Sequence, residues 1–183
     1  MSDWYTTPDG TLDQVWTLLA RGTKDRHAAT RHPTLATCGP DGPEQRTLVL
    51  RGVDRALGTV DLHTDLRTPK VSQITDDPRV SLHIWDARAH LQIRLKGMAS
   101  VLTGADVAQF WDRVPDPSRG AYGATPAPGT PLAADTQPEG QDQAAFAVLR
   151  VTLTSLDSLH LGRDHHRRFA FSAPDWSGTA IAP

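Results

Sequence analysis

Short strand-like runs recur along this chain with little that is helical between them, and that spacing restricts the fold more than any other feature. "PTLATCG", "RTLVLRGV", "GTVDLHT", "RVSLHIWD", "HLQIRLKGMASVL", "AAFAVLRVTLTSL" and "RRFAF" read as β-strands, separated by turns rich in Gly, Asp and Pro. Parallel neighbours need long crossover connections, usually helices. Only "TPKVSQIT" and "GADVAQFWDRV" offer short helices within the series. The expected fold is therefore mainly β, a mostly antiparallel barrel with few helices. Upstream, Leu12, Val15, Trp16 and Leu19 recur at helical spacing and predict an amphipathic helix that ends near Arg21–Gly22 and caps the sheet.

A chain of 183 residues with 38% hydrophobic residues can bury a real core, and a single domain over 1–183 is expected. The formal net charge of −2 gives no reason for a nucleic-acid or membrane surface, so any basic cluster should serve a small local anion. "MSDWYTTPDG" lacks the basic start and apolar core of a signal peptide, and no stretch has the length of a membrane span. A soluble cytoplasmic protein is expected. Cys38 is the sole cysteine, which excludes intramolecular disulfides and a cysteine-rich zinc site, and a packing role is expected for it. The Pro/Gly/Gln-rich stretch 123–143 has no periodicity and reads as a mobile or partner-bound loop.

The polar residues of "LHTDLRTPKVSQI" frame a helix start. Thr68 before Pro69 reads as an N-cap and first helical residue, Val71 and Ile74 give one apolar face, and the helix stops at Asp77–Pro78. Unpaired N–H groups at that start, with Arg67 and Lys70 beside them, suit an anion such as a phosphate; solvated charges on an ordinary turn explain the same residues. In "RTLVLR", alternation puts Arg46 and Arg51 on opposite faces. They either meet one ligand along the strand and around its end, or bracket a core strand at the surface.

Gln92 shares a face with His90 and Arg94, and its amide offers a donor and an acceptor to a heterocycle edge, or simply faces solvent. "LHLGRDHHRRF" gathers His160, His165, His166, Arg167 and Arg168 without a metal-ligand spacing, so no metal is expected; the segment reads as a strand end facing an anion or ring, or as a solvated turn. No G-x-G-x-x-G, Walker A or G-x-S-x-G motif is present.

Taken in order, "RTLVLR", "HTDLRTPK", "DDPRVSLHIWD", "LQIRLKG", "LHLGRDHHRRFAF" and the closing "APDWSGTAIAP" resemble the pyridoxamine 5′-phosphate oxidase-like family of FMN-binding split barrels. The resemblance implies a split β-barrel that dimerises, with two FMN molecules in clefts at the interface. Arg46 and Arg51 match the basic positions of the family's R-x-V-L-L-K strand, the first at the flavin phosphate and the second near the ring or substrate. His63 and Thr64 match its Tyr-Thr pair, Thr68 the following Ser, and Lys70 the basic residue on the phosphate. Where the family has an Arg directly before that Lys, this chain has Pro69, and Arg67 is expected to supply the charge. Gln92 matches a glutamine reaching the flavin from the other subunit, and Arg168 an arginine on the flavin.

For the substrate, Ser118 and His166 match positions that hold the phosphorylated pyridine in vitamin B6 oxidases. Two arginines of that set read Val114 and Asp164 here, with Arg113 or Arg119 as possible substitutes for the first, and "AIAP" replaces the usual Arg-Leu-Ala-Pro ending. The leading expectation is an FMN-dependent oxidoreductase with an altered substrate site. The alternatives are a flavin carrier with little catalysis and an authentic pyridoxamine 5′-phosphate oxidase.

Overall fold

The computed structural model describes residues 3–183; Met1 and Ser2, the start of the stretch read above for a leader, lie outside the described residues. Helix α1 (Pro8–Lys24) is capped by Thr7, whose Oγ1 accepts from Gly10 N at 3.2 Å, and Pro8 fills its first turn. Leu12, Val15, Trp16 and Leu19 are all buried, as their spacing predicts. The helix does not stop at Arg21–Gly22. Gly22 is a close-approach position, because a Cβ there would lie 2.6 Å from Thr30 Oγ1 and 2.8 Å from the Thr30 carbonyl carbon. The helix continues to Lys24, where Asp25 N–H donates to Arg21 O at 2.8 Å.

The strands among the described residues are β1 (Thr34–Gly39), β2 (Gly42–Thr47), β3 (Leu50–Asp54), β4 (Thr59–Asp65), β5 (Arg79–Asp86), β6 (Leu91–Leu102), β7 (Phe146–Leu161), β8 (His166–Ser172) and β9 (Ser177–Ile181). Between them lie α2 (Pro69–Asp76), α3 (Ala108–Trp111) and α4 (Asp116–Arg119). Every strand pairing is antiparallel. The order is β2-β1-β5-β6-β7-β4-β3, with β8 and β9 joined to it through β7. One edge of β7 pairs with β6 over most of its length; the other pairs with β4 through residues 146–152 and with β8 through 155–161. The change of partner falls at a β-bulge, where Thr154 is the extra residue opposite Lys96–Gly97. This architecture is the split barrel expected from the sequence.

"RTLVLRGV" is not one strand. Arg46 and Thr47 close the β1–β2 hairpin, Leu48 N–H donates to Pro33 O at 3.1 Å, and a new strand begins at Leu50 against β4. The alternation argument for Arg46 and Arg51 therefore fails, since the two sit on different strands. Arg51 is itself the extra residue of a bulge between Leu50 and Gly52. The main core packs α1 and Ile74 of α2 against the inner faces of the strands; a second apolar cluster, Val107, Trp111, Val114, Tyr122, Phe146 and Val148, forms around α3. Cys38 is exposed on β1 and has no packing role. From 123 to 142 the chain forms no helix or strand, and is pinned by reciprocal Thr125–Glu139 backbone bonds of 2.8 and 3.0 Å. Among the described residues no helix is long and apolar enough to cross a membrane.

Gly97 tests the bulge. A Cβ at this position would overlap the Thr152 carbonyl oxygen and come within 2.8 Å of Val151 Cγ1. Neither backbone can retreat without breaking ladder bonds. Gly97→Ala is expected to destabilise the protein by about 1–3 kcal/mol, the usual cost of overpacking, read as a lower urea midpoint at unchanged slope.

Candidate functional site

Strand β4 presents its polar residues to two sides, because successive side chains point to opposite faces. Thr64 follows Leu62 onto the side of the main core and of the α2 start. There Lys70 Nζ donates to Thr64 Oγ1 at 3.2 Å, and Thr64 Oγ1 lies 3.3 Å from Thr68 Oγ1. Arg46 reaches the same end of the barrel, bonding Thr37 Oγ1 and, at 3.1 Å, Gln73 Oε1. Its other partner is Glu44, at 3.0 Å, whose side chain is half exposed. Lys70 forms no ion pair among the described residues. Burial, and next the Arg46 charge, push its ammonium below the ordinary lysine pKa. The arrangement is a half-buried cation beside a second cation, with a neutral hydroxyl as hydrogen-bond partner.

Thr68 and Pro69 do occupy the N-cap and first turn of α2, and the helix ends with Asp77 as its C-cap. The Thr68 hydroxyl does not cap, however; it turns back to donate to Asp65 O at 2.7 Å. Arg67 is not brought to Lys70 as a substitute charge. Its Nε and Nη2 donate to the Asp65 carboxylate at 3.0 and 2.7 Å, and Nη2 also donates to Ala124 O at 2.8 Å. Asp65 also accepts from Gly123 N at 2.8 Å, which fastens the start of the long loop to the end of β4. Burial alone would raise the Asp65 pKa, but the bonds from Arg67 and Gly123 outweigh it and hold the carboxyl below its ordinary value.

His63 lies on the opposite side of β4 from Thr64, so the residues of "HTDLRTPK" do not gather around one point. Its imidazole packs edge-on against Phe146 (centroids 4.9 Å apart) and Phe110 (6.2 Å). The bulge re-aims Arg51 toward this pocket, where its charge acts on both His63 and Tyr122. Arg51 Nε and His63 Nδ1 are buried without a hydrogen-bond partner.

Gln92 and Arg168 belong to a third group on the outer face of the sheet. Cross-strand pairing aligns Trp85, Gln92, Leu159 and Arg168 in one row. Gln92 Oε1 is 3.4 Å from His83 Nε2, and Asp157 Oδ2 accepts from Arg168 Nη2 at 3.0 Å. Ser118 sits in α4 and His166 is exposed at the start of β8, with no hydrogen bond or ion pair joining them. Val114 is 4% exposed within the second apolar cluster. Arg119 is engaged by Asp116 at 2.9 Å, by Val114 O at 3.1 Å and by the Trp111 ring, and Arg113 is exposed.

Thr37, Gln73, Tyr122 and Asp157 were not singled out from the sequence. Asp157 is the one with a local signal, as the only acidic residue within the β run "LRVTLTSLDSLHL". The others depend on contacts 20 or more residues away in sequence, such as Thr37 with Gln73.

Such a fold, with basic side chains at a helix start beside a strand end, defines a split-barrel protein. Residues 13–103 match the family model described as "Pyridoxamine 5′-phosphate oxidase, FMN-binding domain". The chain belongs to the pyridoxamine 5′-phosphate oxidase-like family. It is 35% identical over 102 residues to the pyridoxine/pyridoxamine 5′-phosphate oxidase of Kineococcus radiotolerans, covering 55% of this chain and 45% of that protein. With the enzyme of the same name from a Cyanothece species it shares 26% over 151 residues, 82% of this chain and 62% of the relative. The matches thus span roughly half the length of these relatives. A pyridoxamine 5′-phosphate oxidase-related, FMN-binding protein from Nostoc punctiforme superposes with a TM-score of 0.77 at 26% identity, over 93% of this chain and 96% of that one. PhzG of Burkholderia lata, solved with tetrahydrophenazine-1-carboxylic acid, shares the fold at 18% identity with a TM-score of 0.73, over 100% and 98% of the two chains.

The environment of His63 yields a pH signature. Burial, then the Arg51 charge, lower its pKa from 6.5 to about 4, with Asp61 opposing. The unfolded chain therefore binds more protons between these values, so stability falls as pH drops from 6.5 toward 4. The full effect is about 3 kcal/mol. His63→Phe, which leaves no hydrogen bond unmade, is expected to flatten this slope in urea melts at pH 7, 5.5 and 4.5.

Proposed function

We propose that the chain is an FMN-dependent oxidoreductase whose two copies share each cofactor, and whose substrate differs from, or is broader than, pyridoxamine 5′-phosphate. The observation that carries this reading is the half-buried Lys70 ammonium beside Arg46, paired with a neutral hydroxyl where a counter-anion fits. A phosphomonoester brings about −1.5 to −2 charges near neutrality and supplies that anion. Lys70, Arg46, Thr64 and Thr68 would hold the phosphate, with Arg67 acting through Asp65 to fix the α2 start. Arg51 and His63 would lie toward the ring or substrate. Bound FMN supplies two-electron redox chemistry at its ring, and the protein's part is binding, orientation and electrostatics.

The two-copy site follows from where the remaining groups lie. Leu91, Ile93 and Leu95 fill the core from β6, so Gln92 faces outward, and no hydrogen bond or ion pair links Gln92 or Arg168 to Arg46 or Lys70. One flavin can meet both sets if a second copy brings its outer face to the first. The same reading takes the chain as a single domain.

FMN is expected to bind more tightly than riboflavin, because much of the affinity resides in the phosphate contacts. In flavin-fluorescence titrations, Lys70→Ala should cost FMN roughly tenfold or more, the loss of one charge-assisted contact, with little effect on riboflavin. Equal binding of the two flavins by the unmodified protein would remove this account.

Substrate choice is argued from Val114 and Asp164. An arginine at 114 would have to be buried in an apolar cluster, and Asp164 is exposed on the turn before β8. Neither position supplies the charge that a phosphorylated pyridine needs. Loss of a charge-assisted contact costs about 1.5–3 kcal/mol, or one to two factors of ten in binding. Steady-state assays with FMN, oxygen and pyridoxamine 5′-phosphate are expected to show slow turnover or none; efficient turnover would identify an authentic B6 oxidase. Failure to turn over B6 compounds or reduced nicotinamide donors would favour the carrier reading.

A further inference from the structure

The outer face of β5 to β8 carries more positive charge than its own carboxylate requires. Arg94 follows Gln92 by two residues on β6 and so shares its face. It pairs across β6–β7 with Asp157 and across β5–β6 with His83. Asp157 Oδ2 accepts from both Arg94 Nη2 at 2.9 Å and Arg168 Nη2 at 3.0 Å. Arg168 alone satisfies that carboxylate, since its Nε also reaches Oδ2 at 3.1 Å and Oδ1 at 3.3 Å. Arg94 is thus a second cation on a carboxylate that already has one, and the trio holds a net charge of about +1. The Arg94 Nε–H is buried and unpaired.

The neighbouring amide is oriented to match. When His83 Nε2 carries its proton it donates to Gln92 Oε1, the 3.4 Å contact, which leaves the Gln92 NH₂ facing away. Gln92, Arg94 and Arg168 then offer donors and cations to whatever meets this face. A partner edge made of acceptors that gains negative charge fits such a face.

We infer that Arg94, held in place by Asp157, faces the flavin ring of the partner copy and strengthens binding of reduced over oxidised FMN. This rests on the FMN reading and the two-copy site of the preceding section. Flavin that takes up two electrons and one proton gains one negative charge, placed on the acceptor edge of the ring. A guanidinium beside that edge binds the reduced form more tightly, which raises the reduction potential. Asp157 is a positioning residue whose own charge works in the opposite sense.

The test is a potentiometric titration of the FMN-loaded full-length protein with dithionite against a reference dye, alongside FMN dissociation constants and sedimentation. Arg94→Gln is expected to reduce the preference for reduced FMN about tenfold, a fall of about 30 mV for a two-electron couple. Arg94→Lys should restore most of that difference. Lys96→Gln, one row further along the same face, should leave the potential unchanged. Asp157→Asn is expected to raise the potential, a sign that loosened packing would not produce, and it carries the test if Arg94→Gln fails to fold. An unchanged potential in Arg94→Gln, an Arg94→Lys value as low as that of Arg94→Gln, or a lowered potential in Asp157→Asn would each overturn the inference. If Gln92→Ala shifts the potential while Arg94→Gln does not, the shared site stands and only the role of Arg94 falls. Wild-type protein that is monomeric or does not bind FMN would overturn the underlying reading.

Discussion

The organisation of the molecule depends on one strand changing its partner. β7 stays bonded to β6 along nearly all of its length, while its other edge leaves β4 and takes up β8 at the Thr154 bulge. A bulge adds a residue and sharpens the local twist. The strand can therefore close a barrel with its first half and support an extension with its second. Phe146 to Leu149 and Val151 are fully buried between the two apolar clusters, whereas Asp157 and Leu159 look outward toward Arg168 and Gln92. β4, which carries Thr64, and β8, which carries Arg168, thus attach to one edge of β7, and their relative position follows from the bulge.

Charge pairing separates cations compensated within the chain from those that are not. Arg67 with Asp65 and Arg150 with Asp61 each meet a largely buried carboxylate through two close contacts. Those guanidiniums are compensated in place, and the Asp65 pair also anchors the long loop through Gly123 and Ala124. Lys70 and Arg51 form no ion pair among the described residues and have the partly desolvated surroundings that make an unpaired charge costly. Retaining such charges makes physical sense where a ligand completes them.

Much of this was legible in the sequence because it is local. The spacing of Leu12, Val15, Trp16 and Leu19 fixes the buried face of α1, and "RVSLHIWD" coincides with β5. The elements that escaped are those whose cause is not local. β2 is a polar, exposed edge strand containing Pro43, and β9 is another exposed edge, so neither has core-facing alternation to reveal it. The break between Thr47 and Leu50 is set by which neighbours each half meets, and nothing in "RTLVLR" records that. Gly22 looked like a helix terminator and is a contact with Thr30 instead; in a sequence the two uses of glycine are indistinguishable.

Within the candidate site, residue types were legible and their partners were not. Thr64, Thr68 and Lys70 do converge, but the period of two in β4 sends His63 to the other face, and Asp65, which invited no attention in "HTDLRTPK", captures Arg67. That capture bears on cofactor affinity. The resemblance sets Pro69 where the family has an arginine, and the nearby Arg67 guanidinium is neutralised by the Asp65 carboxylate. The positive charge available to a phosphate is then that of Lys70 and of Arg46, itself shared with the exposed Glu44. Charge number is therefore lower than the local count of basic residues suggests, and the strength of the site rests on desolvation: a half-buried ammonium interacts with an anion through a lower effective dielectric than a solvated one does. On the proposed reading, burial of Lys70 would compensate for the arginine that the family resemblance expects at Pro69.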